Sequence, residues 1–131
     1  MILMFQKEVA DRILAKPGSK SYGRLSVITN WLSETTKLFD VPNSAFIPKP
    51  KVNSTVIKIK PYKKPLHDVS FSSLEKITKI IFNQRRKMIK TSLKELDGYN
   101  ILSELKISPL LRPEQLSIED FCRIAKKVFE K

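Results

Sequence analysis

Pro48 and Pro50 sit inside Ser44-Ala45-Phe46-Ile47-Pro48-Lys49-Pro50-Lys51-Val52-Asn53-Ser54. Each proline fixes φ and removes an amide donor, so this stretch is held extended and lies outside any helix. Directly after it, Thr55, Ile57 and Ile59 alternate with Val56, Lys58 and Lys60, the pattern of a half-buried strand. Before it, Leu38-Phe39-Asp40-Val41 is a second strand candidate. Two strands joined across about a dozen residues most simply pair antiparallel at a sheet edge, with Lys58 and Lys60 on an exposed face. The loop between them presents Phe46 beside Lys49 and Lys51. Such a ring either returns to the core or stacks on an unpaired base while the lysines neutralise phosphate.

The chain opens on an apolar run, Met1-Ile2-Leu3-Met4-Phe5, followed at once by Gln6-Lys7-Glu8. It lacks a basic leader and a cleavage site and is too short for a signal peptide or a membrane span. It reads as a buried strand from the middle of a sheet, and a strand so short of neighbours makes the chain look truncated at its front. Phe5, Val9 and Ile13 recur at helical spacing up to Pro17-Gly18-Ser19. Ser21 is a candidate N-cap for a second helix carrying Leu25, Ile28 and Leu32 on one face. The pattern changes in a linker around Pro61 to Asp68, dividing residues 1–64 from a helical 65–131. In that second part a short helix is expected around Ile101 to Leu105. Ser117-Ile118-Glu119-Asp120 is a capping box with Asp where Glu is usual, followed by Phe121, Ala125 and Val128 on one face.

Lys and Arg number 25 against 13 Asp and Glu, a net charge of +12 that points to a polyanionic partner, nucleic acid or an anionic membrane surface. A hydrophobic content of 41% supports a folded core. Cys122 is the single cysteine, which excludes a disulfide framework and suits a reducing, cytoplasmic compartment. No acid occurs between Val41 and His67, or between Lys76 and Lys94. On an unbroken helix Lys76, Lys79, Arg86, Lys87, Lys90 and Lys94 share an arc of roughly 100°, at ~100° per residue. Leu74, Ile77, Ile81, Met88, Ile89 and Leu93 take the opposite side. That arc is a phosphate-binding face, a solvated face or a membrane-surface helix. Arg85 falls in the middle of the apolar side, so either the helix breaks near Asn83-Gln84 or Arg85 is paired there. His67 stands alone, the glycines Gly18, Gly23 and Gly98 are scattered, and no catalytic set or P-loop is present.

Gln6-Lys7-Glu8-Val9-Ala10, Tyr22-Gly23-Arg24-Leu25-Ser26-Val27 and Phe46-Ile47-Pro48-Lys49-Pro50-Lys51-Val52-Asn53-Ser54 resemble the back half of the ribosomal RNA adenine dimethyltransferases. Phe82-Asn83-Gln84-Arg85-Arg86-Lys87 and Arg112-Pro113-Glu114-Gln115-Leu116-Ser117 resemble the subgroup acting on the small ribosomal subunit, the KsgA/RsmA type. The resemblance runs in order over nearly the whole chain. It implies an α/β fold: the last strands and helices of a Rossmann-like methyltransferase domain, then a small all-α domain that docks on rRNA. The implied chemistry is methyl transfer from S-adenosylmethionine to N6 of two adjacent adenosines near the 3′ end of small-subunit rRNA, on bases drawn out of their stack. Phe46 is the implied adenine-packing residue, and Tyr22, Arg24, Lys49, Lys51, Arg85, Arg86, Lys87 and Lys90 are the implied RNA contacts. The cofactor loop and the Asn-Leu-Pro-Tyr segment of the family should precede Met1, so the chain alone is expected to be inactive. A stand-alone RNA-binding or ribosome-assembly module is the alternative; DNA binding fits less well, because no groove-reading helix is apparent.

Overall fold

The alternating segment after the proline loop forms strand β3 (Ser54–Pro61), and the sheet is built around it. The computed structural model describes residues 1–130. On one side β3 pairs antiparallel with β1 (Ile2–Gln6), placing Phe5 opposite Thr55 and Leu3 opposite Ile57. On the other it pairs antiparallel with β2 (Ser33–Val41), placing Thr35 opposite Ile59. The β2 register shifts between Lys37 and Phe39, a bulge that brings Asp40 opposite Thr55. The Thr55 hydroxyl donates to Asp40 Oδ1 at 2.7 Å and Lys37 Nζ donates to Oδ2 at 2.9 Å. These two donors hold the Asp40 carboxyl below its usual range, Lys37 contributing most.

The expected antiparallel pair is therefore present, but with β3 as the central strand rather than at an edge. The opening apolar run departs from expectation. β1 is an edge strand, and Ile2 and Met4, which share the outer face with Val56 and Lys58, are more than half exposed. Neither its second edge nor that face is covered by any described residue, so apolar composition alone does not bury it.

On the inner face, Ile57 is fully buried against Ala10 and Ile13 of helix α1 (Lys7–Leu14), with Phe5, Val9, Leu14 and Ile59 packed around them. Burying one such side chain contributes about 1.5–3 kcal/mol. Helix α1 ends at Leu14, before Lys16, which Pro17 biases away from helical geometry. Helix α2 (Arg24–Leu32) starts at Gly23, not at Ser21. It buries Ser26, Val27 and Trp31 and leaves Leu25 and Leu32 largely exposed. The reason is local: Ser26 Oγ donates to the Arg12 carbonyl, and Asn30 Nδ2 donates to the Ile13 carbonyl at 2.7 Å. Polar side chains satisfying the carbonyls at the end of α1 decide which face of α2 turns inward.

Trp31 Nε1 donates to the His67 carbonyl at 3.0 Å, and the Leu66 amide donates to the Trp31 carbonyl at 3.0 Å, so segment 62–70 runs back along α2. Helix α3 (Phe71–Phe82) follows, capped by Ser70 Oγ accepting from the Ser73 amide at 3.1 Å. A turn over 83–88 leads to the single-turn helix α4 (Ile89–Ser92), then α5 (Gly98–Glu104) and α6 (Ile118–Phe129). The capping box of α6 is present: the Asp120 amide donates to Ser117 Oγ at 3.1 Å, and the Ser117 amide to Asp120 Oδ2 at 3.2 Å. Tyr22, Val27 and Trp31 share one buried cluster with Leu74, Ile77, Ile81, Ile89, Leu93, Leu102, Phe121 and Ile124. The fold is α/β, a small sheet with six helices among the described residues.

Candidate nucleic-acid interface

The proline loop is closed at its base by one side chain. The Asn43 amide donates to Asn53 Oδ1 at 2.9 Å, while the Asn53 carbonyl accepts from the Lys7 amide at 2.9 Å. A 3-10 turn over Asn43–Ala45 begins the loop, and the Phe46 amide donates back to the Asn43 carbonyl at 3.2 Å. Phe46 thus leaves a pinned turn. Its ring is half-buried and belongs to neither apolar cluster. Ile47 beside it is fully exposed at 100%, and Lys49 and Lys51 are exposed. Lys51, Asn43 and Asn53 line a concavity of about 430 Å³ with Lys7, Glu8 and Asp11 from the start of α1. The loop therefore offers an aromatic surface, two ammonium groups and a fixed base, the chemistry needed to hold an unpaired base and its phosphate.

The stretch from Lys76 to Lys94 is not one helix. It breaks at Phe82, as the position of Arg85 suggested, so the single basic arc is replaced by separate pieces. Leu74, Ile77, Ile81, Ile89 and Leu93 are buried on both sides of the break, whereas Met88 is exposed. The turn directs Arg85 away from the core. Its Nη2 donates to the Lys20 carbonyl at 2.6 Å, and its guanidinium lies 5.7 Å from the Phe82 ring centroid. Gly23 lies beside it: a Cβ there would stand 3.5 Å from Arg85 Nη1, an ordinary packing distance. Arg85 is thus already engaged within the chain, while Arg86 and Lys87 project freely from the turn.

Arg24 and Arg85 meet in one concavity of about 560 Å³ together with Arg12 and Lys20. Sequence reasoning missed the last two. Arg12 sits on α1 in an ion pair with Glu8 at 2.8 Å, a spacing that looks merely local, and Lys20 comes from the loop before α2. Lys90 is exposed on α4 and lies in a different concavity. Tyr22 is a correction. Only 1% exposed, its ring packs against Phe82 and Phe121 at centroid distances of 6.1 and 6.4 Å, so it cannot touch RNA. Burial, then the charge of Asp120, pushes its hydroxyl well above the usual tyrosine range, and the oxygen has no hydrogen-bond partner among the described residues.

The sheet is wholly antiparallel among the described residues, no strand leads into a glycine-rich turn, and Gly18, Gly23 and Gly98 lie in unrelated places. No cluster of His, Cys, Asp and Glu among the described residues could hold a metal ion. No described helix is long and apolar enough to cross a membrane.

Comparison with known proteins shows which family the chain matches. The family model for ribosomal RNA adenine dimethylase matches residues 1–130. The ribosomal RNA small subunit methyltransferase A of Rhodospirillum rubrum is 48% identical over 128 residues, which is 97% of this chain and 44% of that protein. The protein of the same name from Ehrlichia ruminantium is 51% identical over 125 residues, 94% of this chain and 48% of that one. The chain thus spans about half the length of the curated relatives it matches. Among solved structures, a dimethyladenosine transferase from Plasmodium falciparum superposes with a TM-score of 0.77 at 26% identity, covering 94% of this chain and 54% of the other. The 23S rRNA methyltransferase ErmE shares the fold with a TM-score of 0.59 at 20% identity, over 97% of this chain and 53% of that one. With the match extending from the first strand through the last helix, this chain belongs to the ribosomal RNA adenine dimethylase family.

Proposed function

We propose that this chain supplies the base-holding loop and the rRNA-docking surface of an adenine N6,N6-dimethyltransferase that acts on small-subunit rRNA in the cytoplasm. In this reading residues 1–64 are the closing strands and helices of a Rossmann-like methyltransferase domain, and residues 65–131 are a helical domain that docks on the small subunit. The observation that carries it is the pinned loop of residues 43–53, where Phe46 stands outside both apolar clusters beside Lys49 and Lys51. A flipped adenine stacks on Phe46, and its phosphates lie toward the lysines. Arg24, Arg86, Lys87 and Lys90 dock the surrounding RNA through phosphate contacts, and Arg85 holds Lys20 beside Arg24. S-adenosylmethionine would supply the methyl group when bound by the methyltransferase domain.

The test is a chimera in which this chain replaces the matching 128 residues of the Rhodospirillum rubrum protein. On unmethylated small subunits with labelled S-adenosylmethionine, it should dimethylate adjacent adenosines. A chimera that folds and binds cofactor yet leaves the rRNA unmodified, while still binding it, would favour an RNA-binding module instead.

A further inference from the structure

Lys90, Thr91, Lys94, Asp97, Gly98 and Tyr99 line an open concavity of about 390 Å³. Its frame is rigid. The Ile89 amide donates to the Leu111 carbonyl at 2.7 Å and the Lys90 amide to the Pro109 carbonyl at 3.2 Å, which fixes the start of α4. Gly98 is pressed onto Leu93, where an added Cβ would collide with both the side chain and the backbone, and Leu93 is itself fully buried. Tyr99 is therefore the residue after a packed backbone contact, yet it is 68% exposed. Asp97 adopts left-handed geometry with φ at 58°, and its Oδ1 accepts from Asn100 Nδ2 at 3.0 Å. Among the described residues, no carboxylate pairs with Lys90 or Lys94. An exposed phenol ring on a fixed backbone beside two uncommitted ammonium groups combines a stacking surface with phosphate neutralisation.

We propose that Tyr99, Lys90 and Lys94 form a second nucleotide site, which takes one unpaired RNA base on the Tyr99 ring and seats its phosphate against the two lysines. This rests on the reading of the chain as an RNA-docking surface, but on residues apart from the Phe46 loop. The site does no chemistry; it gives the docking surface a preference for RNA with an unstacked nucleotide over continuous helix.

The experiment titrates the full chain with a labelled RNA hairpin carrying a short purine loop, and with the same hairpin made abasic in the loop. Tyr99→Ala should weaken binding to the purine-loop hairpin by roughly 5- to 100-fold and leave the abasic hairpin unaffected. Tyr99→Phe and Tyr99→Trp should bind like the parent chain, and the emission of Tyr99→Trp should change on binding. Replacing Lys90 and Lys94 together by Ala should flatten the salt dependence by roughly 0.7 for each single-strand phosphate left without a cation. Circular dichroism and melting check the fold. Should Tyr99→Ala melt early, the parent chain's preference for the purine loop over the abasic loop, with the Tyr99→Trp signal, decides the matter. Binding of both hairpins with no such preference and no emission change would overturn this site while leaving RNA docking intact. No binding of either hairpin by the parent chain would overturn both.

Discussion

Phe46 and Cys122 show how differently one side chain behaves on either side of the core boundary. Phe46 contributes to neither apolar cluster, so Phe46→Ala in the chimera should leave the melting temperature nearly unchanged. Loss of its stacking on the base, about 1–3 kcal/mol, should lower methylation by roughly 5- to 150-fold with bulk RNA affinity intact. A variant that melts early instead would place the ring in the core. Cys122 is buried, and burial followed by the charge of Glu119 pushes its thiol up to about 12. The thiolate is the reactive form, so a maleimide at pH 8 should label Cys122 only as fast as the chain unfolds. Rapid labelling of the native chain would show that α6 opens locally. The aromatic character of Tyr22 was legible in the sequence, but its direction was not. A Tyr-Gly-Arg run does not say that tyrosine faces in while arginine faces out; only the packing of Phe82 and Phe121 settles that. Asn53 was likewise visible only as part of a motif, because closing a loop on Asn43 depends on where two strands end.

At the scale of elements, period was readable throughout, and interruption only through a single residue. The apolar spacing from Leu74 to Leu93 continues across the break because Ile89 and Leu93 return to the same cluster as Ile77 and Ile81. Only Arg85, a charge on the apolar side, betrayed the turn. The break has a geometric consequence: Arg86 and Lys87 leave the chain at a turn, Lys90 one helix later. Replacing these three by Ala should reduce the salt slope of binding to small subunits by about 0.9 for each duplex phosphate they neutralise, with helicity unchanged. An unchanged slope would mark them as solvated cations and leave Lys49, Lys51, Lys58 and Lys60 as the binding surface. The α6 cap was readable because Ser117 and Asp120 are local in sequence. The inward face of α2 was not, since Ser26 and Asn30 find their partners at the end of another helix.

For the whole molecule, the sheet is antiparallel and the glycines are scattered among the described residues. Calorimetric titration of this chain with S-adenosylmethionine should show no saturable binding in the micromolar range, although the chimera should bind it. Saturable binding by the chain itself would mean that the cofactor site is not where glycine-rich loops are expected. The family was legible because five short motifs occur in order, whereas the placement of the apolar run at an exposed sheet edge depends on what lies beside it in space. The hydrogen bonds joining Trp31 to Leu66 and His67 carry one last consequence, for protease and electrophoresis rather than for RNA. A tryptic nick after Lys63 would cut the backbone between β3 and α3, yet Val27 and Trp31 would stay embedded among Leu74, Ile77 and Ile124. The cleaved chain should elute as one particle and resolve into two bands only in denaturant, so the connector can be severed without parting what it connects.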